Sequence, residues 1–371
     1  MIKFKCMKNK ENYKVIGLMS GTSLDGLDIA YCEFNHNTVW SFDLLKSVSI
    51  GFPEDIEARL RQSTLLDGLA LSQLDVDLAL WMGHQVKDFI KKEGFEVDFI
   101  ASHGHTIFHQ PDTRLTLQIG SGTIIHAVTG LPVVYDFRTL DVAWGGQGAP
   151  LVPIGDSLLF GQYDYCLNLG GIANISYEEG GNRLAYDICA CNMVLNYLAG
   201  LRSMKYDKNG DMAARGQVVP SLLNELNALN YYQASPPKSL GYEWVRDEIF
   251  PLLSEELYSL ENMLCTYSDH AAFQIARQVR GAGIQKRRML ITGGGAFNDF
   301  FVQRLRHHCG DEVEVVIPEK QIIEFKEALI FAFLGVLRVR GEVNCLSSVT
   351  GASKDSCGGV VAGLSSADLV I

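Results

Sequence analysis

The chain has 371 residues, 47% of them apolar and 20% charged, a composition of ordinary globular proteins and a length that allows two domains with separate cores. Its formal net charge of -11 and pI near 5.3 argue against nucleic acid or an acidic membrane surface as partner, because contacts to phosphate demand a basic face. Nine cysteines, an odd number scattered through apolar stretches, fit reduced buried thiols better than a disulfide framework.

The N-terminus is basic, but the apolar run that follows is too short for a signal-peptide core, and no run reaches membrane-spanning length. A cytoplasmic protein is therefore expected. Lys14 to Phe34, KVIGLMSGTSLDGLDIAYCEF, is two apolar runs around SGTSLDG and predicts a strand, loop, strand hairpin. The loop holds Ser20, Thr22, Ser23 and Asp25 around Gly21 and Gly26, with Asp28 just beyond. Small residues let amides and hydroxyls approach an anion, so this is either a phosphate cradle or an ordinary polar turn. No GxxxxGK[ST] occurs, and the loop lacks the second glycine of a G-x-S-x-G elbow.

Val39 to Ile50 continues as a third strand, and 53–62 and 71–92 have helical patterns. A short buried strand over 97–102 is expected to end in a loop, HGHTIFHQP. His103, His105 and His109 there read as a zinc string, as a substrate-binding loop with Thr106, or as structural histidines. Pro132 to Tyr135 predicts a strand followed by Asp136, Arg138 and Asp141, either ligand groups or a surface Arg-Asp pair. Gly145 to Pro150, GGQGAP, is taken as the boundary between lobes, giving an N-terminal lobe over 1–150, rejoined by 352–371, and a C-terminal lobe over 151–351.

From Tyr163 the opening theme recurs as strand, Gly170-Gly171 flanked by Asn168 and Asn174, strand, turn, strand. Two similar β-meanders suggest a duplicated α/β lobe with ligands bound between the halves. The third strand delivers Asp187, a general base or a helix cap, ahead of Asn192. Cys189 and Cys191 form a C-x-C with no second pair, a weak metal signal, and no metal site is assigned. Lys238, Ser239 and Glu243 lie in a polar loop. Strand, Gly293-Gly294-Gly295 and helix over 288–306 form a nucleotide seat without dinucleotide spacing. An apolar helix over 324–337 carries Glu324 and Glu327, and the apolar C-terminal helices are compatible with a homodimer.

GLMSGTSLDGLD, HGHTIFHQP, DFRTLDVAWGGQGAPLVP, LNLGGIANIS, ITGGGAFN, KEALIFAF and SVTGAS, in this order over nearly the whole chain, resemble the anhydro-N-acetylmuramic acid kinase family. The resemblance implies the two-lobed hexokinase/actin-like (ribonuclease H-like) fold, with MgATP enclosed between the lobes. It implies a kinase that uses ATP and water to open the 1,6-anhydro ring and phosphorylate the 6-oxygen, in recycling of cell-wall sugar. Gly21 to Asp28 and the Asn168–Asn174 loop would then hold phosphates, and Gly293 to Gly295 would lie near the adenosine. Asp187 would be the base that deprotonates water, and His103, His105, Thr106, Arg138, Asn192 and Glu327 would face the sugar.

Where the family commonly has D-T-G-P-G-N, this chain has Asp187-Ile188-Cys189-Ala190-Cys191-Asn192. Glycines with positive φ, or lying under the sugar, would make these cysteines strained and the pocket narrower. That departure motivates an alternative, a nucleotide- and sugar-binding sensor of the same fold with impaired turnover. A second alternative is a metallohydrolase built on the histidine string.

Overall fold

The computed structural model describes residues 10–21, 24–236, 238–279 and 286–363. Its strands, in chain order, are β1 (Asn12–Ser20), β2 (Leu27–His36), β3 (Trp40–Ile50), β4 (Phe99–Gln110), β5 (Leu115–Ile119), β6 (Val133–Tyr135), β7 (Tyr165–Leu169), β8 (Ile172–Glu179), β9 (Asn182–Ala190), β10 (Arg287–Thr292), β11 (Val313–Val316) and β12 (Val360–Ala362). The chain forms two compact units, 1–159 with 325–371, and 160–324.

In the first unit the sheet order is β12-β6-β4-β1-β2-β3, with β5 pairing the far part of β4. β1, β2 and β3 are an antiparallel meander, and β4 runs parallel to β1 and β6 parallel to β4. In the second unit the order is β11-β10-β7-β8-β9: again an antiparallel meander, then two parallel strands beside its first member. With β5 and β12 of the first sheet set aside, the same order, third-second-first-fourth-fifth, is built twice, the duplicated α/β lobe that the two glycine-interrupted hairpins predict.

On the first sheet the helix Gly68–Glu93 presents Leu74, Leu78, Met82, Val86 and Phe89, spaced by three or four, to Ile16, Leu18, Ile29 and Ile100. Each such side chain, fully buried, contributes about 1.5–3 kcal/mol. Asp67 caps the helix by accepting from the Ala70 N–H, and Gly94, with φ near 71°, ends it. The helix Lys320–Arg340 meets β1 so closely that a Cβ on Gly17 would stand 1.9 Å from the Ala328 carbonyl. Its Gly335 in turn makes room for Ala101 of β4. That contact holds the chain from Phe325, and not from 352, in the first unit, and Gly155, whose Cβ would stand 2.7 Å from Ile330, holds the segment up to Leu159 there. In the second unit the helix Leu260–Gln278 is buried along nearly all its length against Ile188, Cys189 and Ile291.

Two expectations change. β4 does not stop at Ser102 but continues as a strand through His103, His105 and His109. Gly104, with φ near 77°, takes a bend in which a Cβ would meet the Ile119 carbonyl at 2.7 Å, so pairing with β5 carries on past it. Gly145 to Pro150 is not a boundary. It is folded into the first unit, its Gly148 N–H on Asp141 Oδ2 (2.8 Å) and its Gln147 N–H on the Thr350 carbonyl (2.8 Å). No helix among the described residues is long and apolar enough to cross a membrane.

Candidate active site

In the second unit, pairing brings four polar residues into one row across four strands: Thr292 opposite Asn168, Asn168 opposite Asn174, and Asn174 opposite Asp187. Residues directly opposite one another project to the same face. The row therefore lines one face where β7 meets the Gly170-Gly171 turn. Gly293, at φ near 81°, follows Thr292 and approaches β7 so tightly that a Cβ would lie 2.5 Å from Asn168 Oδ1 and 2.9 Å from the Leu169 carbonyl. A Cβ on Gly295 would be 2.7 Å from that of Leu169. Glycine is required here by conformation and by space.

Asn192 fastens the first of the two glycine turns. Its side-chain amide donates to the Leu169 carbonyl at 2.9 Å and its own N–H to the Gly170 carbonyl at 3.1 Å. Beside this knot lies a cavity of about 420 Å³, lined by Asn192, Gly294, Asn298, Tyr206, Lys208 and Phe297 among others. Backbone turns, an aromatic pair and two ammonium groups, those of Lys208 and Lys320, around such a volume suit a nucleoside with its phosphates. Tyr206, Lys208 and Phe297 went unrecognised as lining residues, because two of them sit in a loop with no periodic signal.

Asp187 is half-buried at the far end of the row. Burial raises its pKa, and the Leu240 N–H, donating to Oδ2 at 2.9 Å, works against that rise. The carboxylate accepts no other hydrogen bond from the described residues, so Oδ1 is left for a ligand or water. It does not cap the following helix: Cys191 stands at the N-cap position, with no side-chain cap bond.

The first unit gathers a different set. Ser20, at the end of β1, lies 2.8 Å from His105 Nδ1, both buried. Burial lowers the His105 pKa to about 4, so the ring is neutral. Arg138 donates to His103 Nε2 through Nε (3.1 Å) and Nη2 (2.8 Å), and to the Gly148 carbonyl through Nη1 (2.5 Å). His103 must then carry its proton on Nδ1, donating to the Gly104 carbonyl at 2.9 Å. Burial, with Arg138 adding to it, holds the His103 pKa well below its ordinary value. The Arg138 pKa is lowered to about 10 by burial, against the charge of Glu327. Glu327 is open to solvent yet crowded by protein, and its pKa is raised by lost hydration, opposed by Arg138 and raised further by Asp28. Asp28, Arg138 and Glu327 thus feel one another.

The three histidines of the predicted string go to three partners, Arg138, Ser20 and, for His109, the Thr116 hydroxyl at 3.1 Å. Among the described residues no group of three or more His, Cys, Asp or Glu is placed to hold a metal ion. Of the two readings of Arg138 and Asp141, the surface Arg-Asp pair does not form: Asp141, buried, accepts from Thr350 Oγ1 at 2.8 Å and Cys345 Sγ at 3.1 Å. Thr106 sits in β4 beside Gln118. In the first hairpin Gly21 accepts from the Leu24 N–H at 3.2 Å, and Gly26 passes within 2.3 Å, measured from its would-be Cβ, of the Ile50 carbonyl. Thr22 and Ser23 lie outside the described residues.

Cys189 and Cys191 need no glycine backbone. Cys189 continues β9, and Cys191 has φ near -129°, outside the left-handed region. Both are fully buried in the core of the second unit, where burial pushes their thiols up. They are core residues and not walls of an accessible pocket.

With this geometry in place, comparison with known proteins decides the family. The family model for anhydro-N-acetylmuramic acid kinase matches residues 13–363. The chain belongs to the anhydro-N-acetylmuramic acid kinase family. It is 32% identical over 368 residues to the anhydro-N-acetylmuramic acid kinase of Bacillus cereus strain Q1, covering 92% of this chain and 96% of that one. To the enzyme of that name from Aliivibrio fischeri ES114 it is 32% identical over 366 residues, covering 94% and 98%. To that of Haemophilus influenzae it is 31% identical over 376 residues, covering 93% and 97%.

Proposed function

We propose that this kinase transfers the γ-phosphoryl group of ATP to the 6-oxygen of anhydro-N-acetylmuramic acid while water opens the 1,6-anhydro bond, giving N-acetylmuramic acid 6-phosphate and ADP. Such a sugar has no free 6-hydroxyl. The bond between C1 and the bridging oxygen must break as the bond between that oxygen and phosphorus forms, with water adding at C1. The water loses a proton to Asp187 Oδ1, and the phosphorus–oxygen bond to ADP breaks.

The observation that carries this reading is the carboxylate of Asp187, half-buried, raised in pKa by burial, bonded at one oxygen only and in one row with Asn174 and Asn168. Its basicity is above that of an exposed aspartate, as a proton acceptor for water needs. Gly170, Gly171 and Gly293 to Gly295 would admit the triphosphate and adenosine beside the cavity; in the other hairpin Gly21 and Gly26 would offer phosphate their backbone amides, and Asp25 and Asp28, being acidic, would meet it only through Mg²⁺ or water. Mg²⁺ accompanying ATP would be held chiefly by phosphate oxygens and water, and would neutralise charge on the transferring group. Arg138, its neighbours His103 and His105, and Glu327 would face the sugar, and Asn192, which lines the cavity, would face the nucleotide.

The test is ADP release by the purified protein with MgATP and 1,6-anhydro sugars. Turnover is expected with anhydro-N-acetylmuramic acid, with oxygen from labelled water at C1 and none in the phosphate. Label found in the phosphate, or ADP released equally without sugar, would refute it.

A further inference from the structure

β9 is the edge strand of its sheet among the described residues, so the backbone groups that point away from β8 have no ladder partner. At Asp187 both are taken. The Tyr231 hydroxyl donates to the Asp187 carbonyl at 2.7 Å, and the Asp187 N–H donates to the Lys238 carbonyl at 3.1 Å. Two residues further on, the Leu240 N–H holds carboxylate Oδ2 at 2.9 Å. Lys238 also ties the two stretches together, its ammonium donating to the Tyr231 carbonyl at 3.1 Å and lying 4.6 Å from the centre of the Tyr231 ring. Tyr231 is seated in turn against Trp244, with ring centroids 5.3 Å apart.

We propose that Tyr231 and Lys238 are positioning residues for Asp187, which they hold by its backbone so that Leu240 keeps Oδ2 and Oδ1 stays turned to the reacting water. Neither acts on substrate. This inference rests on the reading of Asp187 as the base. Its physical content is that a base on an edge strand would otherwise twist freely, and a small misplacement of a reacting group lowers turnover without weakening binding. Loss of the Leu240 bond also removes what stabilises the charged carboxylate, so the Asp187 pKa must rise.

The experiment uses the full chain with MgATP and anhydro-N-acetylmuramic acid, comparing Tyr231→Phe, Lys238→Met and Asp187→Asn with the parent protein. Tyr231→Phe is expected to lower kcat about tenfold with KM for ATP unchanged. The acid limb of its kcat profile should move to higher pH, and Lys238→Met should do the same to a smaller extent. Lys238→Met leaves the Tyr231 hydroxyl and its bond to the Asp187 carbonyl in place, so it carries the test where Tyr231→Phe is poorly folded. Variants matching the parent in kcat and acid limb, or losing kcat only through weaker ATP binding, overturn the proposal while Asp187→Asn is inactive. An active Asp187→Asn overturns the base assignment itself, a separate failure.

Discussion

The two units share a strand order but end it differently. In the second unit the strand parallel to the meander stops at Thr292 and turns through Gly293 to Gly295, bringing bare backbone against β7 and leaving a cavity beside the turn. In the first, the corresponding strand β4 runs on past Ser102, bends at Gly104 and projects His103 and His105 to Arg138 and Ser20. One topology thus gives a surface of amides in one copy and a surface of side chains in the other. Amides suit phosphates, which every nucleotide carries, whereas side chains suit the particular pattern of a sugar. The difference is made by where glycine falls and by β5, whose pairing carries β4 on past Gly104.

The largest effect that would sharpen this contrast is at the Asp187 carboxylate of the second unit. Asp187→Asn keeps the shape and the Leu240 contact but not the proton acceptor. Turnover should fall by about 10²–10⁴-fold, with ATP binding retained, as measured by ADP release and nucleotide titration. Retained turnover would leave the two units with no division of labour.

Next in size is the acid sensitivity of the first unit. His105 is neutral when folded, with its pKa lowered to about 4, against about 6.5 unfolded. Between these values the unfolded chain binds more protons, so this contribution is present above pH 6.5 and lost as pH falls towards 4, by roughly 3 kcal/mol at most. His105→Gln should flatten the slope of stability against pH in that window, measured by denaturant unfolding at a series of pH values. His103 in the same unit, held well below its ordinary pKa by burial, and His270 in the second unit, lowered to about 3, have the same sign, so a slope unchanged by His105→Gln would place the sensitivity at those two.

Smaller again is Gly293→Ala. The substitution forces a side chain into φ near 81° and within 2.5 Å of Asn168 Oδ1. Roughly 1–3 kcal/mol of strain is expected, seen as weaker ATP binding more than as slower chemistry at saturation. Ala at Gly310, where φ is near 60° but nothing lies within 4 Å, should leave ATP binding unchanged.

Much of this was legible from residue patterns alone. The alternation of β1 and β2 around SGTSLDG, the repeat at Gly170-Gly171 and the strand-to-glycine step at Thr292 each follow from local rules. What was not legible depended on distant partners. HGHTIFHQ has the glycine and histidine content of a loop, and only its pairing with β5 keeps it a strand. The loop GGQGAP looks like a linker because nothing near it shows that Asp141 and Thr350 will bind it. Likewise Tyr231 lies 44 positions from Asp187, so no local motif joins them.

The cysteines that replace the family's usual glycines supply the least disruptive test, and one aimed at the boundary between site and core. Cys191 is fully buried in an apolar cluster, has φ near -129°, and donates its N–H to the Gly171 carbonyl at 2.8 Å. Cys191→Gly keeps that backbone bond, empties the space of one thiol and loosens the unfolded chain. Stability should fall by about 1–2 kcal/mol, read as a lower denaturation midpoint, while kcat and KM for the sugar stay within a factor of two or so of the parent. If the sugar's KM instead drops severalfold, the thiol reaches the substrate, and the separation between a packed core and an amide-lined site in the second unit breaks down at this residue.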